Sequence, residues 1–242
     1  MEIDDIQTSN LDALALEVTK CEKCPRLREY CALIGTKKRK AFLNWEYWKK
    51  PLPGFGDPKA KLLVVGLAPA ANGGTRTGRF FCGDSSGDWL IRALYKTGFA
   101  NQPTSTSIED GLVLTGAYLT AIVRCAPPEN KPAKDEITNC MPYLEEELRI
   151  LRDVKIVLVL GQVAFRGFID TLRGEFGLHS SSEARFRHGA IYDLGKGFPK
   201  LYVSYHPSRR NTQTKMLTWP MWIRTFQKIR HELMQATHNE ET

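Results

Sequence analysis

Four short apolar runs recur along the chain, KLLVVGLAP (61–69), AYLTAIVR (117–124), VKIVLVLG (154–161) and KLYVSYHPS (200–208), with helical patterns between them. The first ends in Gly and Pro, as a strand buried on both faces does. DWLIRALYKTG (88–98) reads as a helix stopped by Gly98, and further helices are expected through MPYLEEELRILR (141–152), QVAFRGFIDTLRG (162–174) and WPMWIRTFQKIRHEL (219–233). LDALALEVTK (11–20) has helical spacing, whereas 31–58, rich in Lys, Trp, Tyr, Pro and Gly, reads as an irregular arm. Strands alternating with helices predict an α/β fold, a three-layer α/β/α sandwich around a central, mainly parallel sheet of four strands. Ligands bind such folds where loops leave the carboxyl ends of strands, and the loops after the first, second and fourth strands qualify. No repeat or low-complexity linker divides residues 1–242, which are expected to form one domain.

The 34 Lys and Arg exceed the 27 Asp and Glu, and the net charge of +7 favours a polyanionic partner, nucleic acid first. The N-terminus MEIDDIQTSN is acidic and polar, with no secretory pattern, and no apolar run approaches the ~20 residues of a membrane span. An intracellular, cytoplasmic location is expected, with no membrane partner. In a reducing compartment the six cysteines read as metal ligands or free thiols rather than disulfides. Cys21 and Cys24 form a C-x-x-C pair, and Cys125 and Cys140 bound the Pro-rich loop after the second strand. Four thiolates at that spacing suit zinc or an iron–sulfur cluster, although a second C-x-x-C is missing, and buried free cysteines are the plain alternative. Cys31 and Cys82 are left as free thiols.

Two further stretches carry chemistry. GLAPAANGGTRTGRFFCGDSSGDWL (66–90) is a Gly-rich loop that delivers Phe81 and Asp84 just before a helix, and YHPSRRNTQTKML (205–217) sets a His at a strand end before a basic loop. With VRCAPPENKP and the four cysteines, these stretches resemble the iron–sulfur uracil-DNA glycosylases of family 5, often called type B. The resemblance runs from Cys21 to about Leu217 and rests on three loops in order. It implies a uracil-DNA glycosylase-like fold whose N-terminal segment, about 11–58, helps bind a [4Fe-4S] cluster held by Cys21, Cys24, Cys125 and Cys140.

An enzyme acting on a base in duplex DNA must extrude the nucleotide and hold the base by stacking and edge hydrogen bonds. By the resemblance Phe81 covers the base, in a pocket with Gly66, Ala68 and Asn72; the plain alternative is a core Phe. Breaking the N-glycosidic bond leaves positive charge on the sugar and negative charge on the departing base. Asp84 resembles the catalytic Asp of the family, stabilising the sugar cation and orienting water, in competition with simple N-capping of the next helix. His206 resembles the residue that donates to the leaving base, and Asn130 a polar residue lining the site. His179, His188, His231 and His238 carry no such context and read as structural or exposed.

Arg209, Arg210 and Lys215 are expected to grip DNA beside His206, with Arg76 and Arg79 in the first loop and Lys131 and Lys134 in the Pro-rich loop meeting phosphates. The run GTKKRK (35–40), near Trp45 and Trp48, reads as a solubilising loop. The chain departs from the family pattern at Asn72, where a His often stands, and at Cys82, where a small residue such as Thr is common. The expected activity is monofunctional: uracil, with hypoxanthine or xanthine, is released from DNA by a monomeric enzyme, leaving an abasic site. Two other classes compete. GDSSG fits G-x-S-x-G, with Asp170 or Asp193 and His206 completing a serine-hydrolase order, and charge with cysteines alone fits a non-catalytic, metal-stapled DNA-binding module.

Overall fold

The computed structural model describes residues 3–178 and 184–240; His179 and the side chain of His238 lie outside what is described. Helices α1 (Ile3–Thr19) and α2 (Pro25–Lys37) precede a six-stranded sheet. The predicted strands are β2 (Leu62–Gly66), β3 (Ala117–Ala121), β4 (Ile156–Leu160) and β6 (Lys200–Ser204), paired in parallel in the order β3-β2-β4-β6. Two further strands of two residues each, β1 (Phe55–Gly56) and β5 (Ile191–Tyr192), pair antiparallel with β3 and β6 and make the edges. The expected four-stranded sheet is therefore the parallel centre of a six-stranded one. Strands this short leave no periodicity to read.

Side chains alternate across the sheet with period two. Leu63, Val65, Val157, Val159, Leu201 and Val203 pack towards α1, α2, α5 (Lys134–Ile150) and α6 (Gln162–Glu175). Leu62, Val64, Ile156, Leu158 and Tyr202 pack towards α4 (Ser85–Lys96) and α8 (Trp219–Glu240). Both faces are covered, so the fold is the expected three-layer α/β/α sandwich. No helix among the described residues is long and apolar enough to cross a membrane.

The arm at 31–58 departs from expectation, because α2 continues through Cys31 to Lys37. Pro25 at its first turn suits a helix start, but Cys24 before it supplies no capping side chain, so the usual N-terminal signal is missing. Beyond α2 the arm is irregular yet fixed. Trp48 and Lys49 donate backbone hydrogen bonds to the carbonyls of Arg76 and Thr75, and Leu52 donates to Arg124. Those first two acceptors lie in the short helix α3 (Gly74–Thr77), so the arm is zipped to the loop that follows β2.

Candidate active site and cysteine wall

In the order β3-β2-β4-β6, the chain leaves β2 towards one edge and later returns to its other side. The crevice at the carboxyl ends of β2 and β4 is the topological switch point, where open α/β sheets bind ligands. β2 ends on Gly66, and Gly161 immediately follows the last residue of β4. A Cβ on Gly66 would stand 2.8 Å from Cζ of Phe81, and one on Gly161 would stand 3.4 Å from Cβ of His206. Gly66 thus admits the Phe81 ring, which stacks with the His206 ring at a centroid distance of 6.4 Å and an angle of 30°.

Phe81 adopts φ +54°, a left-handed conformation rare for an aromatic residue. Its carbonyl is backed by Gly87, where a Cβ would meet Phe81 O at 2.2 Å. Such strain costs of order 1–3 kcal/mol and persists only where the surroundings enforce it. Burial lowers the pKa of His206 to about 4, so its imidazole is neutral at pH 7. Its loop is anchored by Asn211, whose Nδ2 donates to His206 O at 2.8 Å. It is also anchored by His188, which accepts from Tyr205 N and stacks on the Tyr205 ring at 5.0 Å. His188 is therefore structural, as expected, whereas nothing in the sequence of the basic loop marks Asn211 as its anchor.

Asp84 does cap α4: Oδ1 accepts from the backbone N–H of Ser86 at 2.8 Å and Gly87 at 2.9 Å. The other oxygen, Oδ2, faces Gly73, where a Cβ would stand only 2.2 Å away. One oxygen fixes the carboxylate while the other faces the loop, so capping and chemistry do not compete. Burial raises the pKa of Asp84, against the lowering pull of the two N–H groups and of Arg76. Asn72 lies beside Gly73 with Oδ1 accepting from Tyr47 Oη at 2.9 Å, and Ala68 is half-buried on the first turn of the same loop. Ser85 opens α4 from a loop rather than from a strand end, so the nucleophile elbow of a serine hydrolase is missing.

The basic residues divide into two groups. Arg209, Arg210 and Lys215 are exposed on and after the short helix α7 (Arg209–Gln213), and Lys131 and Lys134 are exposed around the start of α5. Asn130 is also exposed, at φ +58° on the rim of the Pro-rich loop. Arg76 and Arg79, expected to meet phosphates, are instead buried, each only 4% exposed. Arg79 pairs with Asp110 at 2.7 Å and donates to Ile108 O at 2.7 Å, tying loop 105–110 to the first loop. Arg76 donates to the carbonyls of Asn72 and Gly83 at 2.9 and 3.0 Å. Neither guanidinium reaches the surface, because non-local partners capture both.

The cysteines converge behind the exit of β3. Cys24, Cys125 and Cys140 are buried in one cluster with Cys21 packed against it. Cys21 and Cys24 both bear electrostatically on Cys140, which in turn bears on Cys125. Asn139 Nδ2 donates to Cys24 Sγ at 3.7 Å, and the backbone N–H of Arg124 bonds the Cys140 sulfur. Burial holds Cys140 up to about 11. Cys31, a free thiol as expected, lies against Cys125, to which it is hydrogen-bonded. Among the described residues, no group of three or more His, Cys, Asp or Glu closes on a point as the ligands of one ion do.

A buried ion pair braces this wall. Arg124 and Glu147, each 1% exposed, meet in a two-pronged contact at 2.9 and 2.7 Å, with Thr120 Oγ1 donating to Glu147 at 2.6 Å. Arg26, just after the first cysteine pair, pairs with Glu136 on α5 at 2.6 Å.

Residues 53–230 match the model of the uracil DNA glycosylase superfamily. A type-5 uracil-DNA glycosylase of Thermus thermophilus is 45% identical over 212 residues, 88% of this chain and 93% of that protein. A type-5 enzyme of Pyrobaculum aerophilum is 39% identical over 207 residues, 86% of each chain. A type-4 uracil-DNA glycosylase of Saccharolobus solfataricus is more distant, at 32% over 154 residues, 63% of this chain and 56% of that protein. The chain therefore belongs to the uracil DNA glycosylase superfamily and, within it, to the type-5 group.

Proposed function

We propose that this protein releases uracil and other deaminated bases, hypoxanthine and xanthine among them, from DNA by hydrolysing the N-glycosidic bond, leaving an abasic site with the strand uncut. The observation that carries the reading is the crevice itself. A strained Phe81 stacks with a neutral His206 beside the ends of β2 and β4, and a desolvated Asp84 follows Phe81 at the start of α4. Phe81, over Gly66, offers a flat face for an extruded base, with Ala68 and Asn72 completing the pocket. His206, held neutral, donates one N–H to a carbonyl oxygen of the departing base and stabilises its developing negative charge. Asp84, clamped through Oδ1, uses Oδ2 to orient water and stabilise the cationic sugar. Asn130, exposed on the rim of the Pro-rich loop, is a further polar group that an incoming nucleotide can meet. Deamination replaces an exocyclic donor by a carbonyl acceptor, which the His206 N–H can meet as it cannot meet the amino group of the parent base.

Cys21, Cys24, Cys125 and Cys140 fit a [4Fe-4S] cluster: four thiols gather in one buried cluster, and protein N–H groups donate to two of the sulfurs. When bound, the cluster supplies cohesion, tying the segment before α2 to the loop between β3 and α5. Arg209, Arg210, Lys215 and Lys131 meet phosphates. Arg76 and Arg79 are not among them.

The test is a duplex bearing one deoxyuridine, incubated with the protein and then with hot alkali. Alkali-dependent breaks that fall by about 10²–10⁴-fold in Asp84→Asn, with DNA binding kept, are expected. A binding module would hold the DNA and release no base from uracil, hypoxanthine or xanthine substrates.

A further inference from the structure

Arg76 is buried without a carboxylate partner among the described residues, which is unusual because buried charges are normally paired. Two aromatic rings from the arm take that role: the guanidinium lies 4.0 Å from the centroid of Phe42 and 4.0 Å from that of Trp45. Its Nε and Nη2 are committed to Asn72 O and Gly83 O, the residues beside Gly73 and Asp84. Nη1 is buried with no hydrogen-bond partner. A Cβ on Gly83 would stand 2.2 Å from Nη2, so the fork is seated directly against the backbone that carries the carboxylate.

We propose that Arg76 is a positioning residue for Asp84, and that Phe42 and Trp45 hold it in place, so that the arm takes part in base release. This rests on the reading of Asp84 as the catalytic carboxylate. The fork ties the two ends of the loop together: Asn72 before the glycine that faces Oδ2, and Gly83 immediately before Asp84. Since no carboxylate neutralises the guanidinium, its field falls on Asp84 and favours the ionised form that burial opposes. The other groups on this balance are Asp88 on α4, which raises Asp84 and is itself faced by Arg209 across the crevice, and Tyr47 and Cys82, which face Arg76. The neutral His206 adds no charge at pH 7.

The experiment is the pH profile of single-turnover base release by the cluster-loaded protein and its variants, with salt dependence of DNA binding alongside. Arg76→Gln loses fork and charge together, so its rate is expected to fall at every pH and its acid limb to move up by at most about one pH unit, which adds up to a roughly tenfold loss below the limb. Arg76→Lys keeps the charge but not the fork, so its limb stays put while the rate falls evenly across pH. Trp45→Ala is expected to move the limb the same way by less, and it decides the matter if Arg76→Gln fails to fold, because the ring is half-exposed. Salt slopes remain those of the parent in all three. An unmoved limb in both Arg76→Gln and Trp45→Ala overturns the proposal, and a shallower salt slope would return Arg76 to the phosphate contacts. Undiminished release in Asp84→Asn is a different failure, since it removes the catalytic reading on which this one rests.

Discussion

The cysteine wall and the crevice lie along the same edge of one sheet, yet their polar groups are treated in opposite ways. At the wall, Arg124 and Glu147 share a two-pronged contact with Thr120 joining in, and two of the thiols accept N–H groups. In the crevice, Phe81 is strained, burial opposes the charged forms of Asp84 and His206, and Arg76 has aromatic faces instead of a counter-ion. Favourable pairing on one side holds in place the unfavourable arrangement on the other. A site of this kind keeps its strain only while its frame is stiffer than itself.

The comparison breaks most visibly if the frame is cut. Glu147→Ala leaves Arg124 buried and unpaired, and a loss of about 3–5 kcal/mol in unfolding free energy is expected by denaturant titration, enough to endanger the fold. Gly73→Ala acts on the crevice alone. Its Cβ collides with Asp84 Oδ2, and a displaced carboxylate should lower the single-turnover rate by about 10²-fold, with a stability loss limited to the disturbed cap of α4, about 0.5–2 kcal/mol. A third measurement follows the pH dependence of stability. His206 titrates near 4 when folded and near 6.5 when unfolded, so below pH 6.5 protons favour the unfolded chain. Stability should fall as pH drops from about 6.5 to about 4, and the His206→Gln variant should show a shallower fall in that window. The smallest effect concerns neither region but the basic loop after β6, on the far side of the crevice from the wall. Removing Arg209 or Arg210 singly should flatten the salt dependence of DNA binding by about one unit of slope, leaving base release at saturating enzyme unchanged.

The four central strands and most helices are legible because their signals are local: period-two or continuous apolar runs, a Gly stop at 98, and helical spacing. Asp84 is legible as a cap, and the structure adds that only Oδ1 caps while Oδ2 faces Gly73. The rest depends on distance in sequence. Nothing around Arg79 announces Asp110, and nothing around Arg76 announces Phe42 and Trp45, so both arginines read as surface charge. Cys31 shows no partner in the sequence because Cys125 comes to it only through the packing of α2 on the β3 exit. Helix α2 is hidden by a start without a capping side chain, and β1 and β5 by their length.

Those two short strands have a consequence for how the protein behaves among its own copies. A parallel sheet that ended on β3 and β6 would offer two full ladders of unpaired N–H and C=O groups to any passing chain. Instead, β1 and β5 run against the grain of the centre and stop after two residues, and β1 ends on Gly56 at φ +147° with its would-be Cβ position filled by Ala117 O. Little ladder is left on which a further strand can grow, so the sheet resists edge-to-edge aggregation even when the protein is crowded.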